Sequence, residues 1–142
     1  MSELAKAGGR RFSDGEIAPL RAHFVLPDDF ARCLREWELA GADLTLDKSS
    51  DKSGIGAAMQ WMNGEEMVSE ATEMYPGLLA KDRGYIPVAA CMRGSGDPYF
   101  LRSRDGAIVR IPHDAVVAAA LDEQQIELVA TNVNELIAAA SL

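Results

Sequence analysis

Base is missing where acid is concentrated. Residues 111–142 carry five acidic side chains and no lysine or arginine, and the whole chain sets 14 basic against 22 acidic residues, a net charge of −8. That balance argues against a nucleic-acid backbone or an anionic membrane as the main partner. Cysteine is scarce too. Cys33 and Cys91 are too few and too far apart for a disulfide framework or a zinc site, and both are expected to be buried free thiols. The chain has no Gly-Lys-Ser/Thr, no serine nucleophile elbow and no His-Glu-x-x-His, so neither a cofactor nor a metal is expected. No apolar run approaches the roughly 18 residues of a membrane span. The N-terminal MSELAKAGGRRF lacks the apolar stretch of a secretory signal, which leaves a soluble, cytoplasmic protein as the expectation.

At 142 residues the chain is long enough for one domain with a real core. Residues 13–80 hold 5 basic and 13 acidic side chains, and residues 81–110 hold 6 and 3, so acid flanks a mildly basic middle. Such polarity suits a protein partner; it equally fits a surface kept soluble by its net charge.

Residues 1–12 are unpatterned and expected to be loose, with 13–142 forming the domain. Ser13-Asp14-Gly15-Glu16 is a capping box, which predicts a helix over 14–23. Leu26-Pro27-Asp28-Asp29 restarts a helix whose apolar stripe is Phe30, Cys33, Leu34 and Trp37, with Gly41 as its stop. Weak strands are expected over 42–46 and 55–61, then a helix over 65–74 capped by Asn63 with Glu66 three residues on. Tyr85–Cys91 reads as a buried strand. Strands 99–102 and 108–111 flank Asp105-Gly106, a hairpin signal. Residues 115–121 are ambiguous, 125–130 are strand-like, and Asn132 to Glu135 repeats the cap before a last amphipathic helix. The sum is an α+β fold: a central, mostly antiparallel sheet flanked by helices.

Residues 92–101, MRGSGDPYFL, resemble the start of a phosphate loop, because amides around Gly94 and Gly96 could point at an anion. A phosphate loop needs a helix next, and here Asp97-Pro98-Tyr99-Phe100 follows, which reads as a carboxylate and a strand. A corner between two strands, with glycines supplying unusual backbone angles, is the better reading.

Taken in order, Leu26-Pro27, the helix after Gly64, Ile86-Pro87-Val88-Ala89, Gly94-Ser95-Gly96-Asp97 before Tyr99-Phe100-Leu101, Asp105-Gly106, His113-Asp114 and Val129-Ala130-Thr131 resemble the SUKH (Smi/Knr-like) superfamily. That group contains bacterial immunity proteins and a yeast regulator of cell-wall synthesis. The resemblance runs from about Ser13 to the C-terminus and departs at Ala40-Gly41-Ala42, where the family has an Asn-Gly turn. It implies a single α+β domain in which Pro27, Pro87, Gly94, Gly96, Asp97 and Gly106 are structural. It also implies a non-catalytic protein that binds and neutralises a toxin, often a nuclease; the alternative is a cytoplasmic regulatory or scaffold module of the same fold.

Several residues compete for roles. Trp61, Met62 and Met67, together with Met92 farther along, are the candidate partner contacts, with no role assigned to Glu65, although Trp and Met are more often core. Asp28-Asp29 and Glu65-Glu66 fall in first helical turns, where the helix dipole explains them. His113 beside Asp114 suggests acid–base work, but adjacent extended residues point to opposite faces, and a hydrogen-bonding role is favoured. An enzyme using Asp97 with His113 is the least favoured class; His23 lies far away in sequence.

Overall fold

The reciprocal cap that Ser13 and Glu16 encode is made: Ser13 Oγ accepts the Glu16 amide at 3.2 Å and the Glu16 carboxylate accepts the Ser13 amide. It opens α1 (Asp14–His23) in the computed structural model, which describes residues 7–92 and 96–140. Two carboxylates at the positive end of the dipole, Asp28 and Asp29, open α2 (Asp28–Glu36) behind Pro27. This helix ends five residues before Gly41. Trp37 is already extended, and Leu39 and Ala40 turn under the chain start instead of continuing the helix. There, Arg10 and Ala40 exchange backbone hydrogen bonds and Phe12 is buried. Of the stretch 1–12, read as loose from its composition, residues 1–6 lie outside the described residues, and the rest is fastened from Ala7 onward, where its carbonyl accepts the Asp43 amide.

β1 (Asp43–Leu46), β2 (Ala57–Trp61), β3 (Tyr85–Cys91), β4 (Tyr99–Arg102) and β5 (Ile108–Arg110) pair in sequence order, each antiparallel to the last. β8 (Glu127–Ala130) closes the far side of this curled six-stranded sheet. Between β2 and β3 lie α3 (Gly64–Glu73) and the single turn α4 (Gly77–Ala80). Between β5 and β8, the ambiguous stretch folds as a small hairpin, β6 (Val116–Val117) and β7 (Ala120–Leu121). It turns on Ala118 and Ala119 at φ 51° and 61°, a left-handed conformation with no glycine to announce it. α5 (Val133–Ala139) ends the described chain, capped by Asn132 as predicted.

Strand alternation divides the interior in two. Leu44, Met59, Trp61, Tyr99, Leu101, Ile108 and Val129 face α1, α2, α3 and α5 in the main core. Tyr85, Phe100 and Val109 face the other way, under α4 and the β6–β7 hairpin. β4 is therefore apolar on both faces, which is why its sequence is a run and not an alternation. The single α+β domain with a mostly antiparallel sheet follows as expected. Among the described residues no helix is long and apolar enough to cross a membrane.

The β1–β2 connection reaches the opposite edge of the sheet, where Lys52 donates its amide to the Val129 carbonyl. It is held from below by Arg110, whose guanidinium donates to Asp51 at 3.1 Å, the Gly56 carbonyl at 2.9 Å, Ser53 and Glu127, and lies over the Tyr99 ring. The side chains of Arg110 and Asp51 are 6% and 0% exposed.

Candidate functional site

An open groove of about 780 Å³ runs between α1 and α3. Helical spacing builds it. Gly15, Pro19 and His23 recur every fourth residue on α1; Gly64, Val68 and Thr72 do the same on α3, with Glu65, Ser69 and Glu73 as the next row out. Gly64 is where the helices meet: a Cβ there would lie 3.4 Å from the Glu16 carbonyl, an ordinary contact distance. Asn63 and Glu66 make the second reciprocal cap, so Glu66 is spoken for. At the groove's other side Arg10 holds the Glu16 carboxylate with two hydrogen bonds, 2.6 and 2.9 Å, and keeps its pKa down at about 2.

The groove is left anionic. Its lining sets one arginine, already paired, against Glu16, Glu65, Glu66 and Glu73. Among the described residues none of the four glutamates of α3 has a lysine or arginine partner. Glu73 accepts only the Ser69 hydroxyl at 2.9 Å. Burial pushes the Glu70 carboxyl above its usual range, partly offset by His113 nearby.

The sequence candidates are dispersed by the fold. Trp61 is 1% exposed and packs at an angle against Phe30, so it is core and not a partner contact: on β2 it shares the inward face with Ala57 and Met59. Met62 and Met67 are buried as well, whereas Met92 is 55% exposed and Glu65 is on the groove rim. Asp28 and Asp29 remain first-turn residues, with Asp29 bound to Arg32. Cys33 and Cys91, expected to be buried, are only half-buried, and burial raises the Cys33 thiol pKa. Pro27 precedes α2 and Pro87 stands in β3 at an irregularity in its pairing with β4. Gly106 has φ 76° in the β4–β5 turn.

Around the glycine corner, Gly94 lies outside the described residues. Gly96 has φ 72°, and the chain enters β4 and not a helix, so the corner reading holds where it is described. Asp97 accepts both the backbone amide and Nδ1 of His113, at 2.9 and 2.8 Å. Asp114 takes no part. Among the described residues no hydroxyl or thiol is hydrogen-bonded to that ring, and no group of three or more His, Cys, Asp or Glu could hold a metal. Sequence reading missed two things, the groove and the Arg110 centre. The signal for the first was present: residues 53–80 contain four glutamates and no base. The chain matches no family model and no curated protein.

Proposed function

We propose that this chain is a non-catalytic protein-binding domain of the immunity type, which associates with a basic toxin domain and neutralises it by covering its active surface. The observation that carries the reading is the set of glutamates on α3, none of which has a lysine or arginine partner among the described residues. Unpaired surface charge of one sign raises the local concentration of an oppositely charged partner and speeds encounter. The ordered motifs that resemble SUKH proteins point the same way.

The test is recovery of partners on the tagged protein at low and high salt, followed by association kinetics. A single large toxin, released by salt and associating more slowly as salt rises while its dissociation rate barely moves, is the expected result. Recovery of cellular proteins alone moves the assignment to the alternative, a regulatory or scaffold module.

A second reading has one observation in its favour, the Asp97–His113 contact. A carboxylate on Nδ1 fixes the tautomer and orients the ring for proton transfer at Nε2. Among the described residues the dyad has no hydroxyl or thiol hydrogen-bonded to its ring to activate, and the same bonds explain the corner structurally. A purified activity that survives both His113→Ala and Asp97→Asn ends the enzymatic reading.

A further inference from the structure

We propose that the α1–α3 groove receives a short basic segment of the partner, with an apolar side chain over Pro19 and Val68 and a lysine or arginine on either side reaching Glu65 and Glu73. This rests on the protein-binding reading and assigns its surface and chemistry.

Three independent features converge there. The groove has an apolar floor open along its length, about 12 Å for eight helical residues at 1.5 Å each. That length fits three or four extended residues at about 3.3 Å each, enough for one anchor and two flanking charges. Its rim is complementary to cations: Glu65 has no partner among the described residues and Glu73 has a single neutral one. Pro19, lacking an N–H, supplies no helical donor to the Gly15 carbonyl four residues earlier, and both residues line the groove. The site thus presents acceptors and an apolar strip.

Glu73 adds an argument from cost. It lies in the last turn of α3, where the helix dipole disfavours a carboxylate, and no basic side chain accompanies it. Glu65 and Glu66 are explained by their place in the first turn; Glu73 is not. A residue that weakens its own helix while facing a groove is suited to a ligand supplied from outside.

The experiment titrates isotope-labelled protein with two synthetic pentapeptides, Lys-Leu-Arg-Leu-Lys and Glu-Leu-Gln-Leu-Glu, and follows backbone amides by NMR. The basic peptide should move Gly15, Val68, Ser69 and Thr72 in a saturable, salt-sensitive way, and the acidic peptide should not. Glu65→Gln with Glu73→Gln should weaken the basic peptide at least tenfold with little net change in melting temperature, the dipole stabilisation lost at the first turn being offset by the penalty removed at the last. Shifts spread evenly over Asp114, Asp122 and α3, an affinity unmoved by the double substitution, or the absence of any shift would each overturn the assignment. Because only purified protein and peptides are used, such a failure leaves the protein-binding reading to stand or fall on its own partner-recovery test.

Discussion

Two stretches of this chain are acidic with no base of their own, and the fold treats them in opposite ways. In residues 111–140 three of the five carboxylates are answered from elsewhere: Glu123 by Arg83 at 2.9 Å, Glu127 by Arg110 at 3.2 Å, and Glu135 by Lys52 at 3.4 Å. The glutamates of α3 are answered by nothing among the described residues but a capped amide and a serine. A local excess of acid therefore has two meanings. Where the mildly basic middle of the chain folds back onto it, the excess is structural; where it does not, the charge is available to a partner. Composition alone, −8 overall, hides this distinction.

The sharpest test of the structural half lies at Arg110. Asp51→Ala removes the fully buried partner and leaves a cation 6% exposed with only Glu127 and neutral acceptors. Breaking a buried pair from one side should cost about 3–5 kcal/mol, read as a fall in the urea midpoint. Replacing both members, Arg110→Met with Asp51→Leu, should cost less, because no fully buried charge is left stranded and Glu127, 31% exposed, keeps contact with water. If Asp51→Ala costs under about 1 kcal/mol, the value of an exposed pair, the Arg110 centre that also holds Glu127 is worth no more than a surface contact, and the contrast loses its strongest member.

How much of this was readable in advance depends on the distance along the chain. The caps at Ser13, Asn63 and Asn132 were legible because donor and acceptor are three residues apart. The meander over 85–111 was legible from Asp105-Gly106 and the apolar runs around it. The Arg110 centre was not, since Asp51 lies 59 residues away and nothing local marks either as buried. The groove needs two helices about fifty residues apart, though the i, i+4 rows that line it were on the page. Trp61 was offered as a contact because Trp and Met so often anchor interfaces, with core the favoured reading; alternation along β2 sets it on the inward face with Ala57 and Met59. His113 was weighed against its neighbour Asp114 first, while the fold delivers Asp97 from sixteen residues upstream.

A second, smaller effect separates the regions by pH. Arg10 holds Glu16 at a pKa of about 2, below the unfolded carboxylate range, so its contribution is present above about pH 4.5 and is lost as pH falls toward 2. Glu135, held down by the Thr131 hydroxyl and amide, behaves in the same sense. Glu70 has the opposite sign: burial raises its pKa, so its charged form opposes folding, a penalty absent at low pH that grows as pH rises through the folded pKa. Glu16→Gln should therefore destabilise at pH 7 by up to about 1 kcal/mol, given its partial exposure to solvent, and little at pH 2. Glu70→Gln should stabilise at pH 7 and do nothing at pH 3. Urea midpoints of the two variants at both pH values check this; matching signs would mean that α3 carries ordinary structural carboxylates.

The smallest expected shift is the most informative about the groove. Glu73→Gln removes a negative charge from the negative end of α3 and keeps the side chain's size and its contact with Ser69. Stability should rise by a few tenths of a kcal/mol, since a charge in a terminal turn is worth about 0.3–1 kcal/mol at low salt, and the gain should shrink as salt rises. A structural carboxylate would lower the melting temperature when neutralised, as Glu16 should. Glu73 is expected to raise it while weakening the basic peptide, and that pairing of greater stability with poorer binding is what a residue kept for a partner, and not for the fold, produces.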